Sequence, residues 1–520
     1  MEGLLELACL GFAALRVAGI VAMPAVRREL RAHPVFVVPL ALGALFALAA
    51  VAWAADRPWA LRSMTALVVA AWVLVALRAR PAYGRRCAWP PGSIGLRPSL
   101  EALVDREFNR RQFARYGPIF KMAQFRRPVA CLLGIDKARA FLRENEARLG
   151  PAPAAFTKLI RRGFLRYMQP DDHEYYSRLL RTAFSESVLS AVEPFAIEET
   201  RRGLALLSEE SQRRPSLGAS PLASIDRILL AVIQRLFFGG LFRDDECELL
   251  DAHSWDFAAL DVFSRTAPRA ERALRRFEQL LSERGAVYDA SRDVSVWGEI
   301  VRLDPGAARN PTIAGNLLQL FQDSQDNVGG MLAWMVKMLS DAPEWIERVR
   351  VQARADRPPA SEQDDPYTRA TLETLRLARS EYVYREVLEP IAIDGFTIPK
   401  GWLLRICVWE SHRLETIFED PDVFDPDRHL RRRFKATELS PFGLDFHACL
   451  GARLSLLLGR ILAEQLVNDF DLEVVGDGPV ERDNRHWHHW EPSSSFRVVL
   501  RKRGEAKAIS AGAEYAHAVS

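Results

Sequence analysis

Pro441-Phe442-Gly443-Leu444-Asp445-Phe446-His447-Ala448-Cys449-Leu450-Gly451 sets one cysteine in a short loop directly before an apolar run, 452–470. Within that run Leu454, Leu456, Leu457, Leu458, Ile461, Leu462 and Leu466 recur at helical spacing, so the helix N-terminus would aim its N–H groups and positive dipole end at Cys449. A thiolate held in this way is a strong iron ligand. Arg428 and the run Arg431-Arg432-Arg433-Phe434-Lys435 add positive charge upstream, which favours the deprotonated form. Taken alone, a single cysteine is more often a small buried hydrophobe, so the rest of the chain has to decide.

Two further patterns precede the loop. In Thr371-Leu372-Glu373-Thr374-Leu375-Arg376 the glutamate and arginine are three apart and share one helix face, which by itself describes an ordinary surface ion pair. Phe424-Asp425-Pro426-Asp427-Arg428 then supplies a second arginine. In this order the three patterns resemble the cytochrome P450 superfamily, whose haem-binding loop opens on Phe, has a basic residue two before the Cys and Gly two after it. Here those places hold Phe442, His447, Cys449 and Gly451, and Asp445 stands where the family usually has a second glycine after Gly443.

The resemblance implies that Cys449 is the axial ligand of a haem b iron. Phe442, Gly443, His447 and Gly451 would shape its cradle, with His447 as a propionate partner, and Glu373, Arg376 and Arg428 would form a buried triad. His173 with Arg178, followed by Ala183-Phe184-Ser185, is similar to the helix that bonds a haem propionate, although Ser177 holds the place of the commoner arginine four after the histidine. Arg385, after Tyr384, is similar to another propionate contact. Pro90-Pro91-Gly92 and Tyr116-Gly117-Pro118-Ile119-Phe120-Lys121 resemble the hinge and first strand of membrane-bound members, so the likeness runs over roughly 85–503.

Asn310-Pro311 begins a long helix, with Asn as cap and Pro at the first helical position. Setting Leu332-Ala333-Trp334 on the equivalent family segment puts Asp323-Ser324-Gln325-Asp326-Asn327 over the haem. The family carries Ala or Gly, Gly, any residue, an acid and Thr. Asp326 keeps the acid and Asn327 replaces the alcohol, and both are candidate catalytic residues; a plain solvated turn of helix is the alternative.

Helical periodicity covers 98–114, 136–145, 174–185, 222–238, 269–285, 311–340, 343–353 and 366–380. Strand signals fall at 118–122, 128–133, 390–397, 402–407 and 496–502. No strand–helix alternation or long repeat appears, so a doubly wound sheet is disfavoured. The expected fold is mainly α with small β-sheets, a cytochrome P450 fold preceded by N-terminal transmembrane helices. Its parts are a membrane anchor over 1–80, a catalytic domain over 81–503 and a disordered tail over 504–520.

The anchor is read from two uncharged or nearly uncharged apolar stretches, 35–55 and 59–77, each long enough at 1.5 Å per residue to cross a bilayer. Arg27, Arg28 and Arg31 precede the first, and Arg78, Arg80, Arg85 and Arg86 follow the second, so both flanks and the catalytic domain should be cytoplasmic. Residues 1–25 fit a third span or an interfacial helix equally.

Seventy basic against 67 acidic residues, net +3, excludes the basic stripe of a nucleic-acid binder. Six scattered cysteines without a CxxC pair exclude a disulfide framework or a zinc site. Only eight of the basic residues are lysine, which points to a GC-rich, bacterial genome. His486-Trp487-His488-His489-Trp490 lacks the spacing of a metal site and reads as a turn near the substrate cavity or membrane. The basic run at 431–435 would attract an acidic electron-transfer partner.

The implied activity is O2-dependent hydroxylation, desaturation or coupling of a lipophilic small molecule in secondary metabolism. Electrons would come from a ferredoxin with its reductase or from a flavoprotein reductase. Two rivals stand beside it: a reductase-independent haem-thiolate isomerase or dehydratase, kept open by Asn327, and a non-catalytic haem-binding membrane protein, kept open by Asp445.

Overall fold

The computed structural model describes residues 66 and 88–503, apart from 96, 97, 99, 100, 103, 104, 125, 126, 153–161, 244, 249, 251–267, 286, 287, 290–292, 354–363, 379–381, 446, 447 and 483–488. The expected membrane spans, His447, most of the His-Trp run and the tail lie outside the described residues. Among the described residues no helix is long and apolar enough to cross a membrane. The chain divides into two compact units.

One unit takes in residues up to 134, 140–150 and 384–407. Helix α1 (Phe108–Tyr116) leads into a five-stranded sheet of order β1-β2-β7-β4-β3. The strands are β1 (Ile119–Gln124), β2 (Arg127–Leu132), β3 (Leu149–Pro151), β4 (Tyr382–Val387) and β7 (Leu403–Cys407). The hairpin β1–β2 is antiparallel and β2–β7 parallel. Lys121 ties the proline-rich segment to β1: its N–H donates to the Pro91 carbonyl at 2.7 Å and its Nζ to Pro90 at 2.5 Å. Gly92 sits at φ +112°, and a Cβ there would stand 2.3 Å from the Lys121 carbonyl oxygen, so only glycine fits. The expected strand 390–397 is instead a hairpin, β5 (Ile391–Ile393) and β6 (Phe396–Ile398). Asp394 and Gly395 turn it at φ 47° and 78°, the left-handed pair that a two-residue hairpin loop needs.

The other unit, 135–139, 151–383 and 408 onward, is mainly helical. Its helices include α2 (Ile135–Glu144, shared with the first unit), α3 (Pro170–Ala183), α4 (Glu186–Arg213), α5 (Pro221–Phe238), α6 (Pro268–Gly285), α7 (Val296–Leu303), α8 (Pro311–Ser340), α9 (Pro343–Ala353), α10 (Pro366–Leu377), α11 (Arg428–Arg431) and α12 (Ala452–Asp469). Helix α8 starts as its sequence dictates, with Asn310 Oδ1 accepting from the N–H groups of Thr312 and Ile313 at 3.0 and 3.3 Å. It packs against α5, α6, α10 and α12, and Phe321 closes an aromatic cluster with Phe237 and Phe238 at ring separations of 5.8 and 5.7 Å. A short antiparallel pair, β8 (Phe470–Gly476) and β11 (Arg497–Lys502), follows α12, with β9 (Val480–Arg482) and β10 (Trp490–Pro492) between them in sequence.

Helix α4 is absent from the periodic segments of the sequence. It carries Pro194 internally and buries Glu199, Thr200, Ser208 and Ser211 beside its apolar residues, so its apolar stripe is broken. Ser208 and Gln212 donate to the Leu500 carbonyl of β11, Thr200 donates to the Ala196 carbonyl and Glu199 pairs with Arg202, so the buried polar groups have partners.

Candidate active site

Glu373 and Arg376, three apart on α10, are fully buried, and Arg428 of α11 is 4% exposed. Arg376 grips Glu373 bidentately, Nε to Oε2 at 2.9 Å and Nη2 to Oε1 at 2.7 Å, and Arg428 Nε donates to Oε1 at 2.9 Å. His429 Nε2 lies 3.1 Å from Oε2, a fourth member the sequence reading missed. Burial alone would raise the Glu373 carboxyl, but the hydrogen bonds from Arg376 and His429 prevail and hold it down at about 2.

The arginines have donors to spare, and these pin the irregular chain between α10 and the Cys loop. Arg376 Nη1 donates to the carbonyls of His412 and Pro421 at 2.9 and 2.6 Å, and Arg428 Nη1 to Glu419 at 2.6 Å. His412 in turn accepts the N–H of Ser440 on Nε2 at 3.0 Å, immediately before Pro441-Phe442. Burial, then Arg376 and Arg413, lowers the His412 pKa to about 3, so it remains a neutral acceptor. The triad therefore reaches the loop through one histidine.

In the loop, the Cys449 N–H donates to the Phe442 carbonyl at 2.8 Å, and Ser440 Oγ to the Gly443 carbonyl at 2.8 Å. Gly443 has φ 85°. Asp445 has φ 50°, so it adopts the left-handed conformation expected of the family glycine, with its carboxylate 3.0 Å from Arg139 Nη1. Gly451 is the N-cap of α12, and its backbone N–H bonds the Cys449 sulfur.

Cys449 is solvent-accessible although protein encloses it. Burial pushes its thiol up, against the Gly451 N–H and the charges of Arg166 and Arg181. This corrects the expected role of the 431–435 run: Arg431 pairs with Asp425 and Arg432 with Glu438, while among the described residues Arg166 and Arg181 are cations within reach of the sulfur.

Above the loop lies the middle of α8. Between Thr312 and Leu339 only Leu320, Asp323, Ser324, Asp326 and Asn327 escape burial, and they share one face. Asp323 is within electrostatic reach of Cys449 and Arg166, so that face looks toward the sulfur. Gln319 Nε2 donates to Asp323 Oδ1 at 2.9 Å, Asn327 Nδ2 donates back to the Asp323 carbonyl at 2.9 Å, and Asp326 Oδ2 lies 3.5 Å from His489 Nε2. The structure thus sets Asp326 and Asn327 on the accessible face and adds Asp323, which the sequence reading left without a role.

His173 is buried on α3. Arg178 is exposed and within reach of Tyr175, whereas Arg181 touches the Cys loop, with Nε on Ser177 Oγ at 3.1 Å and Nη2 on the Ala448 carbonyl at 3.2 Å. Arg181 follows Ser177 by one helical turn, the spacing through which it could have been found. Arg385 belongs to the first unit, on β4, and its Nη1 donates to the Tyr384 carbonyl at 2.9 Å. Among the described residues no three His, Cys, Asp or Glu side chains gather as a metal site.

The donor set suits a haem: one reachable thiol at a helix N-terminus, backbone N–H support for a thiolate, and arginines for the propionates. Cys449 would hold the iron, with Arg181, on the Ala448 carbonyl, a candidate for the acidic edge and Arg166 facing Asp323. The family profile of cytochrome P450 matches residues 304–498. Abscisic acid 8'-hydroxylase 2 of Oryza sativa subsp. japonica is 28% identical over 425 residues, covering 74% of this chain and 82% of that protein. Abscisic acid 8'-hydroxylase 4 of Arabidopsis thaliana is 26% identical over 74% of this chain and 87% of its own length. The solved structure of retinoic acid bound cyanobacterial CYP120A1 superposes with TM-score 0.68 at 21% identity, over 80% of this chain and all of that one. The fold and site thus define a haem-dependent oxidoreductase. The profile match over 304–498 and these relatives support a place in the cytochrome P450 superfamily, as a monooxygenase-type enzyme whose cofactor is iron protoporphyrin IX.

Proposed function

We propose that this enzyme hydroxylates a small lipophilic acid. The observation that carries the reading is the opposition of Cys449, on a helix N-terminus, to the accessible polar face of α8. One side supplies an iron ligand and the other handles oxygen and protons. The plant relatives are named for hydroxylation of abscisic acid, which supports C–H hydroxylation of a compound of that class. Bound haem would supply the activation of O2. In the balanced reaction one oxygen atom enters a C–H bond, and the other leaves as water with two electrons and two protons. The electrons would come from a ferredoxin with its reductase or from a flavoprotein reductase. Residues 1–80 would anchor the enzyme, with its catalytic domain at the cytoplasmic face, on the strength of the arginine flanks. A bacterial source rests on composition alone.

The test has two arms. Reduced holoprotein with CO should show the red-shifted Soret band of thiolate ligation, which Cys449→Ser should lose; retention of the band by the variant would sink the ligand assignment. Incubation of abscisic acid and related acids with a reductase system and labelled O2 should give product carrying one labelled oxygen, and product formed without reductant would overturn the oxygenase reading.

The second reading, a reductase-independent isomerase or dehydratase, is favoured by the amide at Asn327 in place of a hydroxyl. Asn327→Ala should damage product formation more than haem binding, and Asn327→Thr should shift the product ratio or the coupling of reductant use to product. If both match the parent, the amide has no part in the chemistry. Asp445 no longer supports a non-catalytic reading, because it adopts the glycine-like conformation itself.

A further inference from the structure

Asp323 stands one turn before Asn327, where the resembled family carries Ala or Gly, so a carboxyl group occupies a position built for a small side chain. The charged groups that face it come from four elements: Arg166 from the 3-10 turn Leu165–Tyr167, Asp326 from α8 itself, His489 from the segment before β10, and Cys449 from the loop. Its neutral partner is Gln319, which donates to Oδ1 at 2.9 Å. Asn327 has turned its Nδ2 back onto the Asp323 carbonyl. An amide so engaged cannot donate and accept through a single rotating oxygen as a hydroxyl does. Asp326 lies 3.5 Å from His489 Nε2, and the His489 side chain is 18% exposed.

We propose that Asp323 is the catalytic acid of this enzyme, and that Asp326 and His489 return protons to it from solvent. The proposal rests on the oxygenase reading above. Asp323 gives the proton on its carboxyl oxygen to the oxygen substrate in the space above Cys449, and the resulting carboxylate is stabilised by Arg166 and by the Gln319 amide. The His489 imidazolium then gives its Nε2 proton to the Asp326 carboxylate, which passes it on to the Asp323 carboxylate, and the imidazole takes a proton from solvent. Arg166, His489 and Gln319 are positioning residues.

The magnitude supports this assignment. Burial pushes the Asp323 carboxyl up to about 6, against the pull of Arg166 and Gln319. Near neutral pH roughly a tenth of molecules then carry the proton, against about one in a thousand for an unperturbed aspartate. That difference separates a usable general acid from a permanent anion.

The test uses ferric holoprotein and cyanide, because HCN must surrender its proton to a base in the site before the anion binds. The parent's binding rate should show an inflection near pH 6. Asp323→Asn should remove the inflection and slow binding about 10-fold or more, within the range of general acid–base effects. Arg166→Gln should move the inflection to higher pH, since Arg166 holds the carboxyl down. Asp326→Asn and His489→Phe should slow binding and keep an inflection, moved to lower pH in Asp326→Asn and to higher pH in His489→Phe, since Asp326 raises the Asp323 carboxyl and His489 lowers it. Infrared spectra at acid pH should show a protonated-carboxyl band that Asp323→Asn lacks. The red-shifted CO band in Asp323→Asn verifies that haem and fold survive, while its absence from the parent would defeat the oxygenase reading instead. An unchanged inflection in Asp323→Asn, or one removed only by Asp326→Asn, overturns the proposal.

Discussion

Glu373 shows how one buried charge organises a region that has little regular structure. Its two oxygens receive Arg376, Arg428, His429 and the Asp425 N–H, and each arginine then holds carbonyls of the chain that follows. Glu373→Gln leaves two buried guanidinium groups without their counter-charge, and the expected loss is about 3–5 kcal/mol in chemical unfolding. The pH dependence has a definite sign. Glu373 titrates at about 2 in the folded chain against an ordinary 4.5, so between those values the unfolded state binds more protons. Its contribution is complete above about 4.5 and lost as pH falls toward 2. Unfolding midpoints measured down this range should fall more steeply in the parent than in Glu373→Gln, and parallel curves would show that the carboxylate is not the group being titrated.

At the scale of elements, the Cys loop depends on how closely α12 approaches α10. Gly459 makes that approach possible: a Cβ there would stand 2.4 Å from Thr371 Cγ2 and 2.6 Å from its Oγ1, on a fully buried, β-branched side chain that cannot swing away. Gly459→Ala should therefore cost about 1–3 kcal/mol through overpacking, more than the helix-propensity gain of alanine returns. Because α12 carries the loop at its N-terminus, haem retention should weaken in parallel. Gly459→Ala combined with Thr371→Ser, which deletes the offending methyl, should recover part of the stability; no recovery would place the strain elsewhere. Helix α8 shows the opposite device, a long buried helix with one accessible polar face at its middle.

For the whole molecule, the prediction concerns the anchor. Deleting 1–80 should release the protein from membranes into the soluble fraction with its CO spectrum intact, and reporter fusions at Asp56 and Arg86 should report opposite sides; both on one side would defeat the hairpin. The sequence by itself determined the class of fold and the Cys loop, because a ligand loop, a capped long helix and an i, i+3 Glu–Arg pair are local patterns whose residues lie close together in the chain. It also placed Asp326 and Asn327 on the mid-helix face. Only the tertiary structure decided that Arg166 and Arg181 are cations near Cys449, that His412 joins the triad to the loop, and that Asp323 faces the same space. Those contacts bring together residues tens to hundreds of positions apart, and no periodicity records them. Helix α4 was hidden for the same reason: its buried Ser208 and Ser211 meet the Leu500 carbonyl of β11, nearly 300 residues away. Burial, which reverses the expected effect of nearby charge on Cys449 and raises Asp323, is likewise a property of what packs around a side chain rather than of its neighbours in sequence.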